Sequence, residues 1–139
     1  MFAKRVLAIP IQHQNRSPCM QPVKMGSENF KQLVEANDFV IVDFWAEWCE
    51  PCKHFDEVYA RMAAQHPDIV FGKLDVDAHP GIARQFDVKQ IPCVVAIREQ
   101  VIIDGQVGEM SASEFNNLIK TWRAFDLAAI SEHFKKQSA

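Results

Sequence analysis

Cys49 and Cys52 stand three residues apart in Trp48-Cys49-Glu50-Pro51-Cys52-Lys53, where one periodicity of the chain gives way to another. Before them, Phe39 to Trp45 is a β-branched and aromatic run too short for a helix, which predicts a buried strand. After them, Phe55, Val58, Tyr59 and Met62 recur at helical spacing until His66-Pro67, which predicts a helix from Cys49 to about Gln65. Two thiols on the first turn of a helix project to one side, within bonding reach of each other. The first also faces backbone N–H groups that have no intrahelical acceptor and that stabilise a thiolate. Cys49 is therefore the candidate attacking sulfur of a reversible disulfide with Cys52. Pro51 suits this turn because it gives up an N–H that has no helical partner, and it limits flexing between the sulfurs.

A chain of 139 residues, 48% hydrophobic and 24% charged, reads as one ordinary globular domain. Such a fold buries roughly two thirds of the surface its unfolded chain exposes, so it needs neither a disulfide staple nor a structural metal. A zinc set is not completed, because Cys19 and Cys93 are isolated and no histidine pair accompanies them. One close pair among four cysteines fits a reducing compartment, which we expect to be the cytoplasm. With 15 Lys+Arg against 18 Asp+Glu there is no basic field for nucleic acid or an anionic membrane. Near the N-terminus the longest apolar stretch, Val6 to Ile11, is broken by Pro10 and falls far short of a membrane span.

Residues 1–24 carry three prolines, a polar run and no acid, and read as a flexible N-terminal extension rather than core. Ser27 caps an expected first helix that runs to about Ala36. Further strands are expected over 69–76, 93–97 and 101–107, with a short helix around 80–86. Ser111-Ala112-Ser113-Glu114 is a capping box, followed by the helical stripe Phe115, Leu118, Ile119 and Trp122. The predicted order is helix-strand-helix-strand-helix-strand-strand-helix, an α/β arrangement. Leu127, Ile130 and Phe134 fall off the last stripe, so residues 122–139 are expected to form a C-terminal helical extension that docks on the domain or self-associates.

Asp43 is the one polar residue inside the predicted buried strand, and a buried carboxylate is costly unless it serves or pairs with something. It is the candidate general base. The block Val42-Asp43-Phe44-Trp45-Ala46-Glu47-Trp48-Cys49, with Pro51-Cys52-Lys53, resembles the active-site block of the thioredoxin family. The resemblance continues through Lys73-Leu74-Asp75-Val76-Asp77, Pro80-Gly81-Ile82-Ala83, Val88, Ile91-Pro92 and Val107-Gly108, in the family's order, over residues 25–121. It implies a three-layer α/β sandwich around a mixed sheet of four to five strands, and a thiol-disulfide oxidoreductase that reduces disulfide-containing client proteins. By the same resemblance, Asp43 takes the proton from Cys52, directly or through water, and Lys73 tunes Asp43. Ile91-Pro92 is cis beside the disulfide, and the Ile91 backbone pairs with an extended substrate. Trp48, Glu50 and Pro51 shape the substrate surface, and Trp45 belongs to the core. No bound cofactor is implied beyond the Cys49–Cys52 disulfide itself, and a thioredoxin reductase using NADPH recharges the pair. Two other readings share these residues: an isomerase or oxidase, and a redox-silent binding module working through its C-terminal helix.

Four departures from the family pattern carry expectations. Glu50 replaces glycine between the cysteines, and its charge disfavours the Cys49 thiolate and makes the dithiol more reducing. Glu57 stands near a proline that usually kinks the helix, so a straighter helix is expected. Arg98-Glu99-Gln100 replaces a glycine turn between the last two strands, so a different turn is expected. Cys93, after Pro92, reads as a packed core thiol rather than a second redox partner.

Overall fold

The computed structural model describes residues 21–128. Its elements run β1 (Val23–Met25), α1 (Phe30–Ala36), β2 (Phe39–Trp45), α2 (Glu50–Gln65), β3 (Val70–Asp75), α3 (Pro80–Gln85), β4 (Cys93–Arg98), β5 (Val101–Val107) and α4 (Ala112–Arg123). They build one five-stranded sheet of order β1-β3-β2-β4-β5, in which β1, β3 and β2 are parallel, β4 runs antiparallel to β2, and β5 runs antiparallel to β4. The sheet is mixed and helices cover both faces, as the α/β reading requires.

Period-two alternation sends the residues of β2 to two cores. Phe39 and Ile41 join Tyr59, Met62, Phe71, Phe115, Ile119 and Trp122 under α2 and α4. Val40, Val42 and Phe44 join Val70, Leu74 and Ala83 on the other face, with Phe30, Leu33 and Phe86 packed against them. All of β2 except Trp45 is buried. Tyr59 ties α2 to the sheet, its hydroxyl sharing a proton between the carbonyls of Ile41 (3.0 Å) and Gly72 (2.7 Å).

Three features differ from the sequence expectations. Strand β1 was not anticipated, and Val23 and Lys24 fall inside the expected extension. A three-residue strand shows no period, and it exists only through its parallel pairing to β3. Met25 is buried over Gly72, where a Cβ would collide with the Met25 thioether. The first helix starts later than Ser27: its N-cap is Asn29, whose side chain binds the Gly26 N–H (2.8 Å) and the Lys24 carbonyl (2.9 Å). Ser27 Oγ instead lies 3.2 Å from His79 Nδ1.

At the other end, Trp122 opens the expected C-terminal extension yet is buried in the core, with its Nε1 donating to Asp104 (2.8 Å). The capping box of α4 forms as expected, with Ser111 and Glu114 satisfying each other's N–H groups. Arg98 closes the other end of α4 by donating to the carbonyls of Trp122, Arg123 and Phe125 at 3.0, 3.0 and 3.1 Å. Phe125 is exposed and Leu127 half-buried, while Ile130 and Phe134 lie outside the described residues, as does the flexible-arm expectation for residues 1–20.

Without a glycine, the β4-β5 turn is still a two-residue hairpin, with Arg98 opposite Val101 and both Glu99 and Gln100 at positive φ (49° and 69°). The strand twist demands this backbone, so two side-chain-bearing residues adopt a region that costs about 1–2 kcal/mol each. Gln100→Gly is expected to raise stability by about 0.5–1 kcal/mol, after allowing for the entropy glycine loses on folding. A denaturant midpoint that stays or falls would show that the turn carries no such strain.

Candidate active site

The chain leaves β2 at Trp45 and turns through Ala46 and Glu47 into α2, with the Cys49 N–H bonded to the Ala46 carbonyl at 3.2 Å. Cys49 is the N-cap of α2, in extended backbone, and its sulfur accepts the Cys52 N–H at 3.2 Å. An amide at a helix N-terminus is thereby aimed at the Cys49 sulfur, an arrangement that favours a thiolate there. Cys49 and Cys52 form a disulfide across Cα atoms 5.3 Å apart. Both are nearly inaccessible, at 3% and 1% exposure, in a small cluster with Ala46, Trp45, Val76 and Ile91. Pro51 lies in the first turn, as its missing N–H allows.

Around the pair, the Ile91-Pro92 bond is cis. The Pro92 carbonyl accepts from the Gly108 N–H at 2.8 Å, and the Ile91 backbone takes no partner among the described residues. Trp48 is 67% exposed, and its ring is fixed by Nε1 donating to Asp77 at 2.9 Å. Asp77 is in turn held in a tight turn, its N–H donating to Asp75 at 2.9 Å. Glu50 is exposed and pairs with Lys53 at 3.5 Å, so its charge is partly balanced by a cation one turn on.

Beneath α2, Asp43 is fully buried, and neither carboxyl oxygen has a hydrogen-bond partner among the described residues. Burial pushes its pKa up to about 7; Lys73 pulls it down and Asp56 pushes it up. Lys73 is the register partner of Asp43 on β3, yet its ammonium pairs with Asp56 of α2 and lies 4.8 Å from the centroid of the Trp45 ring. Trp45 is therefore half-buried packing rather than a free platform. Cys93 is buried in the sheet, its thiol pushed up by burial and then by Asp43, and it lies apart from the redox pair as a core residue. His54 is exposed, 3.9 Å from Glu109.

The structure thus gathers Cys49, Cys52, Trp48, Pro51, Ile91 and Pro92 on one end of the sheet, with Asp43 and Lys73 below. Two members went unseen in the sequence. Asp77 anchors Trp48, but a single aspartate after a strand carries no such signal. Asp56 holds Lys73, and its signal was present: it stands four residues after Cys52, a polar break between Phe55 and Tyr59 on the buried helix face.

The thioredoxin family model matches residues 21–121, which include the redox pair, Asp43 and Ile91-Pro92. A thioredoxin-named protein of Streptomyces coelicolor is 40% identical over 117 residues, covering 84% of this chain and 87% of that one. The thioredoxin of Mycoplasmoides gallisepticum is 33% identical over 89 residues, 64% of this chain and 89% of its own. Among solved structures, a mutant thioredoxin from Halobacterium salinarum superposes with a TM-score of 0.72 at 27% identity, covering 79% of this chain and 96% of that one. With a disulfide at the N-terminus of α2 and relatives that share both fold and sequence, this chain belongs to the thioredoxin family and is a thiol-disulfide oxidoreductase.

Proposed function

We propose that this chain reduces disulfides in client proteins of the cytoplasm, using the Cys49–Cys52 pair as its redox group and Asp43 as proton acceptor. The observation that carries the reading is a disulfide at a helix N-terminus above a buried carboxyl that has no partner. The Cys49 thiolate attacks one client sulfur, forming a mixed disulfide and expelling the other sulfur as a thiolate. Cys52 then loses its proton to the Asp43 carboxylate and attacks the Cys49 sulfur. The mixed disulfide breaks, the client leaves as a dithiol after protonation, and the two electrons it gained are those lost in forming Cys49–Cys52. The family is generally recycled by thioredoxin reductase, and NADPH is the electron source we assign here.

An acceptor whose pKa lies near 7 is better matched to a thiol than an ordinary carboxylate would be. Ile91, whose backbone has no partner among the described residues, offers strand-like pairing to an extended client segment beside Pro92, while exposed Trp48, Pro51 and Glu50 form the rim. Compartment rests on thiol usage: Cys93 is buried and only one pair is bonded among the described residues, the pattern of a reducing environment. Among the described residues no helix is long and apolar enough to cross a membrane.

In a Cys19→Ser/Cys93→Ser background, Cys52→Ser is expected to accumulate a mixed disulfide with a disulfide-bonded test protein, and Cys49→Ser to form none. Trapping by Cys49→Ser instead would reverse the assigned roles. A redox equilibrium against a thiol buffer sets direction: a strongly reducing value supports a reductase, a mildly oxidising one an isomerase or oxidase, and a pair that does not cycle a binding module. Glu50→Gly is expected to shift that equilibrium toward the oxidising side, by an amount limited by solvent and Lys53. An unchanged value, or one further to the reducing side, would remove Glu50 from the tuning of the pair.

Burial of Asp43 also leaves a stability signature. Its folded pKa of about 7 exceeds the ordinary 3.8, so its contribution is fully present below about 3.8 and is lost as pH rises through 7. Asp43→Ala is therefore expected to stabilise the protein above pH 7 by up to about 4 kcal/mol, less the cost of the small cavity, and to give no gain near pH 3. Chemical denaturation of parent and variant across this range checks it, and a gain independent of pH would mean that the carboxyl is not the cause.

A further inference from the structure

Lys73 sits in register with Asp43 on the neighbouring parallel strand, so both side chains leave the sheet on the face covered by α2. An ammonium in that place is the natural counter-ion for a buried carboxylate, yet among the described residues Asp43 has no hydrogen-bond partner and Lys73 is bound to Asp56. It pairs with Asp56, one helical turn beyond Cys52, and stacks over the Trp45 ring. Lys73 is about one-fifth exposed and Asp56 about half, so the pair lies at the margin of the core with its acid reaching solvent. We propose that Asp56 is a positioning residue of the redox site: by pairing with Lys73 it holds the ammonium off Asp43 and leaves the buried carboxyl without a direct counter-ion.

The inference rests on the reading of Asp43 as proton acceptor and deepens it. Were the ammonium released to Asp43, an opposite charge in a buried site would favour the ionised carboxylate and weaken it as a base. Two effects of Asp56 act in the same direction, since it occupies the cation and adds its own negative charge to the neighbourhood. The effects on Asp43 have the matching signs, with Lys73 lowering its pKa and Asp56 raising it, both secondary to burial. The other titratable groups facing Asp43 do not change charge near neutrality. On α2, the Tyr59 hydroxyl is engaged with two carbonyls and pushed up by burial. On β4, the buried Cys93 thiol lies on the opposite face of the sheet, level with Phe44, and is likewise pushed up. In the oxidised protein Cys49 and Cys52 are bonded to each other, and β2 itself carries no other charged residue.

The test follows the Asp43 carboxyl carbon by NMR through a pH titration of the full chain, with the disulfide kept oxidised so that neither of its sulfurs titrates. Asp56→Asn is expected to move the Asp43 midpoint to lower pH by about one unit. Lys73→Met is expected to move it upward, and Asp56→Glu, which restores the charge, to return it toward the parent. A residue that only supports the fold would not produce opposite shifts in the two variants. An Asp43 midpoint in Asp56→Asn equal to or above the parent value overturns the proposal, as does a Lys73→Met midpoint that fails to rise. The pH profile of mixed-disulfide resolution in parent and Asp43→Asn reads the acceptor role separately. If Asp43→Asn keeps the parent profile while both titration shifts occur, the acceptor reading fails and the assignment of Asp56 stands.

Discussion

Strand β2 is covered on both faces, and this constraint shapes the rest of the molecule. A central strand of this kind has no solvent side on which to place a polar residue, so six of its seven residues are buried, Asp43 among them. A carboxyl there loses its hydration and gains no hydrogen bond in return. The fold tolerates it because it stays protonated up to about neutral pH, and the protein holds a proton-exchanging group within its core.

The same strand aims the sulfurs. Because β2 ends at Trp45 and the chain turns at once into α2, Cys49 becomes the helix N-cap, and the amide that would otherwise lack a partner points at its sulfur. Helical spacing then places Cys52 beside Cys49, Asp56 a turn further on and Tyr59 a turn beyond that, all on the side facing the sheet. The chemistry at the surface and the charge arrangement beneath it are thus successive turns of one helix. The loop around Ile91-Pro92, which leads from α3 into β4, packs Ile91 against the apolar cluster at the sulfurs.

Most of the architecture was legible because its elements carry strong local signals. The run Phe39–Trp45, the stripe of α2 and the capping box of α4 each fix an element from adjacent residues alone. Elements whose existence depends on a distant partner were not legible: β1 has three residues and is a strand only because β3 offers its edge. The start of α1 at Asn29 rather than Ser27 has a related reason. Serine and asparagine cap helices about equally well, and the choice between Ser27 and Asn29 was made by the Lys24 carbonyl and by His79. The β4-β5 turn shows the reverse case, where strand twist imposed a positive-φ backbone that Glu99 and Gln100 do not favour.

By itself, the sequence determined the redox pair, its place between a strand and a helix, and the presence of one carboxylate in an apolar run. Spacing of three and alternation of two are local periodicities, and they survive without knowledge of what packs against them. Tertiary structure alone decided that the nearest cation is taken by another acid and does not pair with that carboxylate. Lys73 is thirty residues from Asp43 along the chain and beside it in the sheet, but its ammonium is taken by Asp56, brought there by the packing of α2. Charge pairing depends on distances of a few ångströms across elements, and only the packed fold sets those distances.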